Sequence, residues 1–150
     1  MFYILSQILM IDSLSLENQV CFPVYALAKE IVHHYRPFLD DLGITYPQYL
    51  VLLILWKERE QTVGQLGDKV FLDSGTLTPL LKRMEQKGMV ERKRSPHDER
   101  VVNISLTEKG LALEEQAKDI PQKLMESMQV SEEEVLELKN SVMKILNKQK

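Results

Sequence analysis

Between Gly88 and Thr107 the apolar period of this chain changes from about 3.6 residues to two. Met89-Val90-Glu91-Arg92-Lys93-Arg94 and Val101-Val102-Asn103-Ile104-Ser105-Leu106 alternate as strands do, and Ser95–Arg100 is a polar turn between them. The other periodic segments are helical. Pro23 and Pro37 bracket a first helix with Val24, Leu27, Ala28, Ile31 and Val32 at helical spacing, so Cys21 falls in its N-terminal turn or just before it. If that helix instead begins near Ser15, Pro23 kinks it. Gly43 breaks the chain, and Thr45-Tyr46-Pro47-Gln48 reads as a capping box opening a second helix through Trp56, apolar on most sides and therefore central.

Thr62-Val63-Gly64-Gln65 repeats that start signal and opens a short helix toward Val70. Asp73 or Ser74 then caps a longer helix, Leu77 to Lys87, which Gly88 stops. Leu77, Leu80, Leu81 and Met84 share one face of it, while Thr76, Thr78, Pro79, Lys82, Arg83 and Gln86 take the other. Pro79 would remove a backbone bond and crowd the preceding turn, so an irregular or bent first turn is expected. After the strands, Thr107 caps a helix containing Leu111, Leu113 and Ala117, with Pro121 as a kink. Ser131-Glu132-Glu133-Glu134 starts the last helix, with Val135, Leu138, Val142, Ile145 and Leu146 as its apolar stripe.

Helix, short helix, capped helix and β-hairpin in that order make a winged helix-turn-helix, in a chain that is mainly α with a small β-hairpin wing. Its charge is distributed to match. The whole chain carries 19 basic and 22 acidic residues, a net charge of −3, yet Lys82–Arg100 holds seven cations against four anions. An acidic protein with one basic stretch can still bind phosphate through it. Small hydroxylated residues at the start of the capped helix (Ser74, Thr76, Thr78) let that end enter a major groove, with Lys82 and Arg83 further along. In the hairpin, Arg92, Arg94 and Arg100 are the cationic candidates, and Asp98 lies where its carboxylate can orient Arg100 toward a narrow minor groove. The expected partner is double-stranded DNA.

Enzyme chemistry finds little support. One cysteine excludes a multi-cysteine zinc site, and the three histidines have no ligand spacing, so neither metal nor cofactor is expected. No phosphate-cradling glycine loop is present. The apolar opening MFYILSQILMI is too short to cross a bilayer and lacks a basic n-region. It reads as an N-terminal arm or, if Met10 is the true start, as no part of the protein. A cytoplasmic protein without membrane contact is expected.

LDSGTLTPLLKRMEQKG (Leu72–Gly88), RKRSPHDER (Arg92–Arg100) and ISLTEKG (Ile104–Gly110) resemble the MarR family of winged-helix regulators. LENQVCFPVYA (Leu16–Ala26) and ITYPQYL (Ile44–Leu50) resemble its organic hydroperoxide regulator (OhrR) branch, single-cysteine type. The similarity runs from Leu16 to about Ile120. It implies one domain over residues 1–150, with an N-terminal extension at 1–14, dimerisation helices at 15–42 and 107–150, and the winged helix-turn-helix at 45–106. It also implies an obligate homodimer on a pseudo-palindromic operator.

A cysteine at a helix start has amides and a dipole that favour its thiolate, and Tyr25, four residues on, shares its side of the helix. Tyr35 stands fourteen residues after Cys21, about 21 Å along a straight helix, so it reaches this sulfur only from the other subunit. In the resembled branch tyrosines hold the reactive thiolate across the dimer, and Cys21, Tyr25, Tyr35 and Tyr46 fall on matching positions. The function expected from this is a repressor that an organic hydroperoxide releases by oxidising Cys21, with a low-molecular-weight thiol as second reagent. Two other regulators stay open: a family member responding to a small aromatic ligand, and a redox-responsive regulator of virulence or metabolism of the staphylococcal SarZ type. A thiol peroxidase would need a resolving thiol that one cysteine does not supply.

Overall fold

The computed structural model describes residues 15–149, so the N-terminal apolar stretch lies outside the described residues. It divides into two units, the first ending at His34 and the second starting at Tyr35.

In the first unit a 3₁₀ turn, Leu16–Asn18, precedes helix α1, Cys21–Asp41, which continues into the second unit. Pro23 sits in its first turn, where no donor is lost. Pro37, expected to end the helix, lies inside it. A proline near a helix end removes only one late bond, and the stop comes from Gly43. Its φ of +65° lets Gly43 N–H donate to Asp40 O at 3.0 Å and Ile44 N–H to Leu39 O at 3.0 Å.

The second unit continues with α2 (Tyr46–Glu58), β1 (Glu60–Thr62), α3 (Val63–Val70), α4 (Ser74–Gln86), β2 (Val90–Arg94), β3 (Val102–Leu106), α5 (Glu108–Ala117), α6 (Ile120–Met128) and α7 (Glu132–Leu146). The starts are set by the expected caps. Thr45 N–H donates to Gln48 Oε1 at 3.0 Å, and Thr62 and Gln65 exchange bonds of 2.8 and 3.2 Å. Ser131 and Glu134 do likewise at 2.8 and 3.2 Å. Gly88, with φ of +71°, closes α4 as Gly43 closes α1.

Helix α2 is the centre of the core, with Tyr49, Val51, Leu52, Leu55 and Trp56 buried. Leu66 of α3 packs there with Leu77, Leu80, Leu81 and Met84, the inward face of α4. Val90 and Ile104 bring the sheet to the same core. The sheet has three antiparallel strands in the order β1-β3-β2, with Arg92 opposite Ile104 and Gln61 also opposite Ile104. The hairpin expectation therefore gains a third strand. Pro121 begins α6 rather than kinking the preceding helix, which stops at Ala117. Proline suits a first turn better than an interior.

Two long-range bonds tie α5 and its cap to the helices before it. Trp56 Nε1–H donates to Gly110 O at 2.9 Å, and Thr107 Oγ1–H to Gly88 O at 2.6 Å. Among the described residues no single helix is long and apolar enough to cross a membrane.

Candidate functional site

The cap of α4 is Asp73, whose carboxylate accepts from Thr76 N–H at 3.0 Å and from Thr76 Oγ1–H at 2.9 Å. These bonds, the hydroxyl's first, hold the Asp73 carboxyl below its ordinary value. Ser74, Thr76, Lys82 and Arg83 are exposed, and Thr78 is half-buried. Because the Thr76 proton is committed to Asp73, this hydroxyl meets an incoming group as an acceptor. Pro79 lies within a continuous helix. The irregular or bent first turn expected of it does not interrupt the helix; at the cap, Thr76 N–H makes a 3₁₀-type bond to Asp73 O at 3.2 Å beside the regular one from Leu77.

Gly67 makes the tight passage from α3 to α4 possible. A Cβ there would come within 2.8 Å of Leu72 O. Phe71, in the left-handed region at φ 56°, forms the turn itself.

In the wing, Arg100 N–H donates to Asp98 Oδ1 at 3.0 Å, and Arg100 Nε lies 3.5 Å from the same oxygen. The Arg100 side chain is otherwise 94% exposed. Arg94 Nη1 donates to Glu99 O at 3.3 Å, and Ser95 N–H to Val101 O at 2.8 Å, which shapes the tip. Arg92 behaves differently. It turns toward α4, with Nη1 3.4 Å from Glu85 Oε2. Glu85 was absent from the sequence expectations, because a contact between a helix end and a strand across Gly88 has no local period.

The cysteine side divides between the units. In the first, Cys21 opens α1 and is exposed, as is Tyr25. Lys29 Nζ lies 5.5 Å from the Tyr25 ring centroid, and among the described residues no hydrogen bond joins the Tyr25 phenol to the sulfur. In the second, Tyr35 and Tyr46 bring their ring centroids to 4.9 Å, and Tyr35 and Tyr49 to 5.6 Å. Tyr49, buried and 6.2 Å from Trp56, was also missed, although its place three residues after Tyr46 on one helix was a usable signal. Burial first, then Tyr49 and Tyr46, push the Tyr35 phenol up to about 12. Burial also raises Tyr46 and Tyr49 above the ordinary value. At neutral pH all three are hydrogen-bond donors.

Residues 33–120 match the family described as Transcriptional regulator SarA/Rot. The chain is 51% identical over 135 residues to the organic hydroperoxide resistance transcriptional regulator of Bacillus subtilis, covering 90% of this chain and 92% of that one. It is similar to the solved structure of reduced AbfR bound to DNA (39% identity, TM-score 0.71, 87% of this chain and 94% of that one). A disulfide-formed AbfR structure is similar as well (37% identity, TM-score 0.61, 87% and 92%). AbfR is a protein of Staphylococcus epidermidis.

Proposed function

The chain belongs to the winged-helix, DNA-binding transcriptional regulators of the MarR and SarA/Rot type, in the organic hydroperoxide regulator branch, and from that premise we propose that two copies form one repressor which oxidation of Cys21 lifts from its operator. The observation that carries the sensing half is the place of the one thiol: exposed, in the first turn of α1, where a hydroperoxide can reach it.

On DNA, Ser74, Thr76, Thr78, Lys82 and Arg83 of α4 meet the major groove, while Arg94 and an Arg100 oriented by Asp98 meet the adjacent minor groove. Two such heads, about 34–36 Å apart, read a pseudo-palindromic operator. The terminal segments, 15–42 and 107–150, join the copies, in keeping with the exposed apolar residues of α7. The protein works in the cytoplasm, where its operator is.

The chemistry begins with the Cys21 thiolate attacking the outer oxygen of an organic hydroperoxide. An S–O bond forms, the O–O bond breaks, and the alkoxide leaves and takes a proton as the alcohol. Sulfur is oxidised by two electrons to the sulfenic acid as the peroxide is reduced. A low-molecular-weight thiol then forms an S–S bond to Cys21 and water departs. One cysteine per chain leaves no internal thiol to resolve the intermediate. An added group there crowds Tyr25, Tyr46 and a Tyr35 that comes from the other copy, and changes the distance between the reading heads.

A gel shift on the duplex upstream of the protein's own gene tests this. Wild type binds and is released by cumene hydroperoxide with a thiol, whereas Cys21→Ser binds equally and stays bound. Equal release of both proteins overturns the sensing role of Cys21.

A further inference from the structure

Resting on the DNA reading above, we infer that Arg92 is a positioning residue which, through Glu85, fixes the wing against the reading helix and does not itself contact DNA. Strand β2 alternates. Val90 points into the core, Glu91 and Lys93 point outward and pair with each other at 2.6 Å, and Arg92 returns to the side of Val90. There its guanidinium meets Glu85, in the last turn of α4, at 3.4 Å. The Arg92 side chain is only 19% exposed against 94% for Arg100, and its Nε is buried without a hydrogen-bond partner. A cation held in that way is committed to the contact between helix and strand. The loop bonds of the tip, Arg94 to Glu99 and Ser95 to Val101, then carry the position of β2 outward to Arg100.

The ion pair is also better placed to matter than its exposed neighbours. Partial burial screens it less from its partner, while a fully exposed pair is worth little. Loss of Glu85 leaves the mostly buried Arg92 unpaired, and loss of Arg92 leaves the strand without its tie to the helix; in either case the cheapest relief is for the wing to swing away.

The test measures affinity for the same upstream duplex, at one salt concentration, for the full-length dimer and its variants, each checked by thermal melting. Glu85→Gln removes an anion from a phosphate-binding surface, so electrostatics alone would tighten binding. The expected result is the opposite: Glu85→Gln and Arg92→Met each weaken it, by about 5- to 20-fold. In an Arg100→Ala background the same changes cost less than about twofold, because the wing they position no longer has its contact. The swap Glu85→Arg with Arg92→Glu restores most of the affinity. Tighter binding by Glu85→Gln, or an Arg92→Met loss unchanged in the Arg100→Ala background, overturns the inference while leaving the DNA reading intact. A wild-type protein that ignores the duplex overturns both.

Discussion

Tyr35, six residues before the end of α1, and Tyr46, the first residue of α2, face each other with ring centroids 4.9 Å apart and planes tilted by 42°. The Gly43 turn makes this possible by redirecting the chain between the two tyrosines. Tyr49 adds a third ring, and desolvation of the group pushes Tyr35 up to about 12 from the ordinary 10. The folded protein therefore holds this proton at pH values where the unfolded chain has lost it. Stability is independent of Tyr35 below pH 10, then falls as pH rises through about 12. Ultraviolet titration of phenolate should show Tyr35 ionising after an exposed tyrosine, and Tyr35→Phe should remove that late step and soften the alkaline loss of stability. Simultaneous ionisation of all the phenols near 10 would contradict the packing.

Two glycines in the second unit should respond to the same substitution with opposite signs. A Cβ on Gly110 would lie 2.0 Å from Met89 O, a backbone atom that cannot yield. The Gly110 carbonyl also accepts the Trp56 indole, so any shift of α5 breaks a buried bond. Gly110→Ala should cost roughly 3 kcal/mol or more in urea unfolding. Gly64, exposed on α3, has nothing nearer to a new Cβ than Thr62 Oγ1 at 3.9 Å. Gly64→Ala should stabilise by roughly 0.5–1 kcal/mol, since alanine loses less backbone freedom in a helix. Similar midpoints for the two variants would mean that α5 does not approach Met89 so closely.

The same contrast explains what the sequence disclosed. The inward face of α4 was legible because Leu77, Leu80, Leu81 and Met84 repeat within one helix, and the caps because each is settled within four residues. Strand β1 was not, since Glu60-Gln61-Thr62 has no apolar alternation and becomes a strand only by pairing with β3 some forty residues later. Pro37 and Pro121 were both misplaced, because a proline marks a helix end or a helix start by context that other segments supply. At the site, Asp98 and Arg100 could be paired in advance as close neighbours in a turn. Glu85 and Arg92 could not: seven residues apart across a helix stop, they meet only once the sheet packs on α4.

Helix α7 carries the prediction on assembly. Val135, Leu138 and Val142 stand at i, i+3 and i+7, so they line one face, and they remain 37%, 43% and 37% exposed in the single chain. Ile145 and Leu146 extend the exposed apolar surface to the end of the helix at 62% and 37%. The Ser131 capping box fixes where this helix begins, and with it the face on which the stripe falls. Full burial of such side chains is worth about 1.5–3 kcal/mol each, enough for a few of them to hold two copies together. Sedimentation velocity should therefore give wild type twice the chain mass and Leu138→Glu with Val142→Glu the single mass, with circular dichroism unchanged in the helical region. The same double variant should lose most of its operator affinity, because one reading head alone retains only half of the contacts. A double variant that still sediments as a pair would remove α7 from the interface.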